Sequence, residues 1–215
     1  MSQGSQFSRD GFLVIPNLLP IAACDALAEE LTALLEKQQR EKVRGGLRNV
    51  LRISSCAAAI ASSDTFISII SNLAGKQAFP VRAILFDKSD GANWGVPWHQ
   101  DLAIAVAERI ETTGFGSWSV KEGIVHVQPP PHILANMVTI RLHLDDCSAD
   151  NGALRVLPGS HLQGELNAEA INDWTVKQVP VTAEIPKGGA LLLRPLLLHA
   201  SSPAKNPSHR RVLHV

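Results

Sequence analysis

The sequence predicts one α+β domain in which helices come first and a larger antiparallel β-sandwich or barrel follows. Two observations carry this. Apolar residues recur at helical spacing within the first 79 residues. Beyond Pro80, short runs rich in β-branched and apolar residues are separated by Gly, Pro and Asn. A chain of 215 residues suits a single domain with a sizeable core.

The elements follow in order. FSRDGFLVIPNLL (7–19) opens polar and becomes an apolar run containing Val14 and Ile15, closed by Pro16 and Pro20. In 21–40, Ala23, Leu27, Leu31, Leu34 and Leu35 mark one face of an amphipathic helix. EKVRGGLRN (41–49) reads as a basic loop. Residues 56–75 read as a further helix stopped by Gly75. VRAILFDK (81–88) is strand-like and SDGANWGVP (89–97) is turn-rich. Residues 102–136 read as irregular, a lid or an insert, with a Pro129-Pro130-Pro131 stop. MVTIRLHLDDC (137–147) alternates strictly. Val138, Ile140, Leu142 and Leu144 take one face, and Thr139, Arg141, His143 and Asp145 the other. Such a strand can lay its apolar side on a core and line a cavity with its polar side. NGALRVLPGSH (151–161), GGALLLRPLLLHA (188–200) and HRRVLHV (209–215) complete the strand-rich part.

Composition excludes several classes. The formal net charge is zero, so no broad basic face for nucleic acid or anionic lipid is implied. No stretch approaches the roughly 20 apolar residues of a membrane span, and the polar N-terminus lacks the apolar core of a signal peptide. The three cysteines, Cys24, Cys56 and Cys147, form no CxxC motif; a reduced cytoplasmic chain is the expectation. Tyrosine is absent, which removes tyrosyl chemistry.

The sharpest local feature is Trp98-His99-Gln100-Asp101. On an extended segment residues i and i+2 point the same way, so His99 and Asp101 can share a metal. A second His from a distant strand would complete a two-His-one-carboxylate facial set. That set leaves three positions open for O2 and a chelating co-substrate at non-haem Fe(II). HxD alone is weak, because short motifs recur by chance. The chain holds another, His143-Leu144-Asp145. Spacing does not choose between them, since either pair could take His199 as its third ligand.

Four motifs in order are similar to the phytanoyl-CoA dioxygenase family and its ectoine-hydroxylase-like relatives. FSRDGFLVIPNLL resembles the family's N-terminal entry, and PWHQD (97–101) its metal motif. NGALRVLPGSH resembles the signature that follows a later strand, which puts His143 on that strand. HASSPAKNPSHRR (199–211) resembles the closing motif of a distal His, a Ser two residues on and an Arg eleven residues on: His199, Ser201 and Arg210.

The resemblance implies a double-stranded β-helix, or jelly roll, over 80–215 with a flanking helical portion over 1–79. It implies Fe(II) on His99, Asp101 and His199, and 2-oxoglutarate as co-substrate. Arg210 would bind the far carboxylate through its bidentate fork, assisted by Ser201 and Thr139. Arg141 and Lys88 are further candidates for 2-oxoglutarate or an anionic substrate group. The implied reaction hydroxylates a C–H bond of a small molecule with O2, releasing succinate and CO2. Asp101 favours hydroxylation, because halogenases of this class carry Gly or Ala there.

Trp94, Trp118 and Arg48 are substrate candidates by position near the metal loop or in the basic loop, although packing and solvated charge are their commoner roles. His143 and Asp145 are read as hydrogen-bonding groups of the cavity wall. A cupin-like metal enzyme without 2-oxoglutarate, or a non-catalytic binding module on the same fold, stand as alternatives. The substrate and the oligomeric state are not legible.

Overall fold

The computed structural model describes residues 2–39 and 46–215. Most of the basic loop lies outside the described residues.

Helix α1 (Gln3–Asp10) begins at Ser2, whose hydroxyl accepts from the Ser5 amide, and ends at Gly11 in the left-handed conformation. Strand β1 (Phe12–Ile15) follows, then α2 (Ile21–Gln39) and the short β2 (Gly46–Leu47). The helix expected over 56–75 is two helices, α4 (Ser55–Ala61) and α5 (Asp64–Ala74), after a single turn α3 (Val50–Ile53). Ser63 breaks the run by capping α5, accepting from the Phe66 amide. Gly75 closes α5 in the left-handed conformation, as expected.

The larger sheet is antiparallel, in the order β1, β11 (Ala190–Leu193), β8 (Thr139–His143), β13 (Arg210–His214), β3 (Ile84–Lys88), β2. The smaller one runs β10 (Val181–Ala183), β9 (Leu154–Val156), β12 (His199–Ser201), β4 (Val96–His99). These are the two sheets of the expected jelly roll.

The strand period sorts the core. Ile140, Leu142, Ala190, Leu192, Leu85 and Leu213 join Leu27, Leu31 and Phe66 in a cluster between the larger sheet and the helices. Leu191 and Leu193 point the other way and meet Leu154 and Val156 of the smaller sheet and Leu197, just before β12. Thr139, Arg141, His143, Lys88, Arg210 and His214 alternate with the helix-facing residues on their strands, and all are buried. The domain thus has an apolar helix-facing layer, and an intersheet space apolar at one end and polar at the other.

Residues 102–136 are not irregular. They form a third antiparallel sheet, with β7 (Ile124–Gln128) between β5 (Ile104–Val106) and β6 (Gly116–Lys121), followed by the single turn α6 (Pro131–Leu134). Glu122 and Gly123 join β6 to β7 with φ of 50° and 76°. Positive φ at both central residues is the two-residue hairpin geometry usually supplied by Asn-Gly or Asp-Gly. One helix in the strand-rich part also went unpredicted, α7 (Ala168–Lys177), capped by the Asn167 side chain.

Candidate metal centre and cavity

Strand pairing brings the two histidines together: His99 of β4 and His199 of β12 are register partners. Their rings lie 4.2 Å apart between centroids. Each Nδ1 bonds the carbonyl two residues back in its own chain, His99 to Pro97 at 2.9 Å and His199 to Leu197 at 2.8 Å. A carbonyl can only accept, so each ring carries its proton on Nδ1 and leaves the Nε2 lone pair free. Both Nε2 atoms face Asp101, at 3.8 Å from Oδ1 for His99 and 3.7 Å from Oδ2 for His199. One ligand atom from each of His99, Asp101 and His199 lies within 4.8 Å of the others.

Asp101 Oδ2 is buried without a hydrogen-bond partner. Such an atom is costly unless something cationic meets it. Burial opposes the charge on Asp101, but His199, His214, His99 and Arg141 outweigh it and hold the carboxyl below its ordinary value. Burial pushes His199 down to about 4, so it is neutral near pH 7, as a ligand must be. The donor set therefore fits a divalent metal with open coordination positions.

The second HxD pair is disposed differently. Strand β8 ends at His143, and Asp145 leaves the alternating face. Its carboxylate takes the Arg211 guanidinium in two bonds of 2.8 and 2.6 Å. His143 stays inside, with both ring nitrogens unpartnered, its pKa pressed well below the ordinary value by burial and by Arg141 and Arg210. It is buried in the interior without the hydrogen bonds expected of a cavity-wall group, and neither it nor Asp145 lines the cavity.

Beside the triad, three cations share the polar interior. Lys88 donates to Ser201 Oγ at 3.2 Å and to the Ser202 carbonyl at 2.7 Å. Burial, with Arg210 as its neighbour, lowers its pKa to about 8. Arg141 bonds His214 Nδ1 at 3.1 Å, and burial with Arg210 lowers it to about 10. Arg210 donates to the Gly152 carbonyl and approaches Cys147 Sγ at 4.0 Å. The Nε atoms of Arg141 and Arg210 have no partner. Arg210 and Arg211 face opposite ways, as strand neighbours must. Gly152 has φ +68°, and a Cβ there would lie 2.7 Å from the Ser202 carbonyl and 3.1 Å from Lys88 Nζ. The Asn-Gly turn is thus also the place where backbone makes room for Lys88.

A cavity of about 630 Å³ opens onto Asp101 and Thr139 and runs past His214 and Val215 to Phe66, Ile67 and Ile70 of the helical layer. Arg82, just before β3, lines it. Neither Arg82 nor His214 stands out in the sequence. The remaining candidates lie apart from it. Trp94 packs near Lys88 Nζ, 5.7 Å from ring centroid to nitrogen. Trp118 lies in β6 against Arg109, and Arg48 pairs with Glu122 at 3.8 Å. None of these three is among the cavity's lining residues.

The family model of phytanoyl-CoA dioxygenase matches residues 7–212. The chain belongs to the phytanoyl-CoA dioxygenase family. Among curated proteins it is similar to L-proline trans-4-hydroxylase of Streptomyces griseoviridis, 23% identical over 97% of this chain and 82% of that protein. It is also similar to the ectoine dioxygenase of Nocardia farcinica (strain IFM 10152), 26% identical over 74% of this chain and 50% of the relative. The crystal structure of EctD from S. alaskensis with 2-oxoglutarate and 5-hydroxyectoine shares the fold, with a TM-score of 0.76 at 18% identity, over 99% of this chain and 73% of that one. As a member of this family the chain is read as an oxidoreductase on the double-stranded β-helix.

Proposed function

We propose that the protein is an Fe(II)- and 2-oxoglutarate-dependent dioxygenase that hydroxylates a C–H bond of a small molecule. The observation that carries this is the convergence of His99 Nε2, His199 Nε2 and Asp101 beside a buried group of three cations. A metal ion answers the triad, and a dicarboxylate answers the cations.

Iron held by His99, Asp101 and His199 would couple decarboxylation of 2-oxoglutarate, to succinate and CO2, with transfer of one oxygen atom of O2 to the substrate. The chain's own residues do the rest. The Pro97 and Leu197 carbonyls hold each imidazole in the tautomer that presents Nε2. Arg210 offers its unpartnered Nε edge to the far carboxylate of 2-oxoglutarate. Ser201, held by Lys88, and Thr139, which lines the cavity together with Asp101, supply hydroxyls. Arg141 adds positive charge and orients His214. The cavity admits the substrate on the Asp101 side.

No single described helix is long and apolar enough to cross a membrane. The cysteines are unpaired, which supports a reducing, cytoplasmic setting.

The test is the visible spectrum of the metal-free protein given Fe(II) and then 2-oxoglutarate without oxygen. A charge-transfer band that needs both, is lost in His199→Ala and weakens in Arg210→Ala is the expected result. Iron binding without any response to 2-oxoglutarate would favour a cupin-like metal enzyme. Failure to bind iron would leave a non-catalytic binding protein.

A further inference from the structure

The cavity that reaches Asp101 has a definite chemical character. Phe66, Ile67, Ile70, Phe79, Met137 and Val138 give it a predominantly apolar wall. Two cations line it, Lys76 and Arg82. Lys76 is exposed at the rim. Arg82 is half-buried, and burial lowers its pKa from the ordinary value while Asp101 acts in the opposite sense. No hydrogen bond or ion pair engages the Arg82 side chain among the described residues. Of the charged groups acting on it, Asp101 favours its charge and Arg48 opposes it. Among the described residues Asp101 is its one nearby countercharge, and that carboxylate is committed once a metal is bound. A guanidinium drawn partly out of water beside an apolar wall is costly without an anion.

We propose that the substrate is an apolar molecule bearing one carboxylate-like head group, that the head group pairs with Arg82, and that the apolar body lies along the wall formed with α5. Arg82 then sets which carbon is presented to the metal centre, as a specificity-determining residue. A cavity of about 630 Å³ holds a molecule of drug-like size, larger than an amino acid. The metal end of this assignment rests on the proposed oxygenase function; the pairing with Arg82 rests on the cavity and on Asp101 being taken up by the metal.

The test is calorimetric titration of the full chain with decanoate, with 1-decanol and with 1-naphthylacetate, at saturating 2-oxoglutarate, so that an acid cannot report on the 2-oxoglutarate subsite. One charge-assisted pair predicts that decanoate binds at least about tenfold more tightly than 1-decanol. Arg82→Gln should abolish that difference while leaving the alcohol unchanged, and Arg82→Lys should restore part of it. The ratio of decanoate to 1-naphthylacetate affinity shows whether the wall prefers a chain or a ring system. Equal binding of acid and alcohol, or a difference that survives Arg82→Gln, overturns the assignment, as does failure of all three to bind. The anaerobic band separates the two readings. If it forms while decanoate fails to bind, only this inference falls; if decanoate binds through Arg82 while no band forms, the oxygenase reading falls.

Discussion

The side-chain amide of Gln100 donates to the Leu196 carbonyl at 2.6 Å, tying the segment that carries His99 and Asp101 to the one that leads into His199. Gln100 also donates to the Gly164 carbonyl at 2.8 Å, and its own carbonyl accepts from the Leu166 amide at 2.8 Å. The Asp101 amide reaches the Pro195 carbonyl at 2.8 Å. Alternation puts Gln100 on the face opposite His99 and Asp101, where it fixes both at once. Gln100→Leu leaves these backbone groups unanswered and frees the loop. Groups of this kind typically alter metal affinity by about 10–100-fold. Fe(II) affinity should fall within that range, measured by competition with a chromophoric chelator. Unchanged affinity would show that the strands alone hold the ligands.

The two HxD motifs make opposite predictions. Asp145 is engaged by Arg211, which also donates to Thr32 of α2 at 3.1 Å, so the pair fastens the helical layer to the sheet. Asp145→Ala should lower unfolding stability by about 2 kcal/mol in urea and leave the Fe(II)–2-oxoglutarate band intact. Asp101→Ala should remove the band. Its cost in stability to the metal-free protein should be smaller than that of Asp145→Ala, because Asp101 Oδ2 has no hydrogen bond to lose and only the surrounding charges favour the carboxylate.

Much of this was legible because side-chain direction in a strand has period two. The alternation of 138–144 assigns Ile140, Leu142 and Leu144 to the core and Thr139, Arg141 and His143 to the interior, and the structure agrees. The same rule fails at Asp145, since it holds only while the strand continues and β8 stops at His143. The hairpin within the insert has no clear sequence signal because its turn is Glu122-Gly123, where Glu at positive φ is an uncommon choice. The two-helix break was signalled by Ser62-Ser63-Asp64, a cap motif hidden in an apolar run. The approach of Arg82 to Asp101 has no local signal, since nothing in the pattern around residue 82 says which residue it will face. That is a property of the folded cavity, as is the pairing of His99 with His199.

Acid should destabilise the metal-free protein early. Burial lowers His214 to about 3 and His143 well below the ordinary value. In the unfolded chain both titrate near 6.5. Above that pH both states are neutral and neither residue contributes. As pH falls below it, the unfolded chain takes up protons that the folded protein refuses, so stability declines. Each buried His adds a slope of up to about 1.4 kcal/mol per pH unit. Urea midpoints should therefore drop between about pH 7 and pH 5, and His143→Leu should make the drop shallower. A midpoint flat across that range would mean these rings are protonated inside the fold.

Lys88 gives the corresponding prediction at alkaline pH. Burial and Arg210 lower it to about 8, so in the ligand-free protein its charge fades as pH rises through that value. A bound dicarboxylate favours the charged form. Its affinity should then weaken between about pH 7 and pH 9, and the folded pKa of Lys88 should rise on binding. Stability runs the other way. Between about 8 and its ordinary value of 10.5, the unfolded chain holds a proton that the folded one lacks, so stability gains with rising pH across that window. Lys88→Met removes the titrating group and keeps an unbranched apolar stem. In that variant 2-oxoglutarate should bind more weakly at pH 7, and its affinity should lose this pH dependence, read from the anaerobic band at each pH. If the variant keeps the parent's pH dependence, the titration belongs to another group, and Lys88 serves only to hold Ser201 and the Ser202 carbonyl in place.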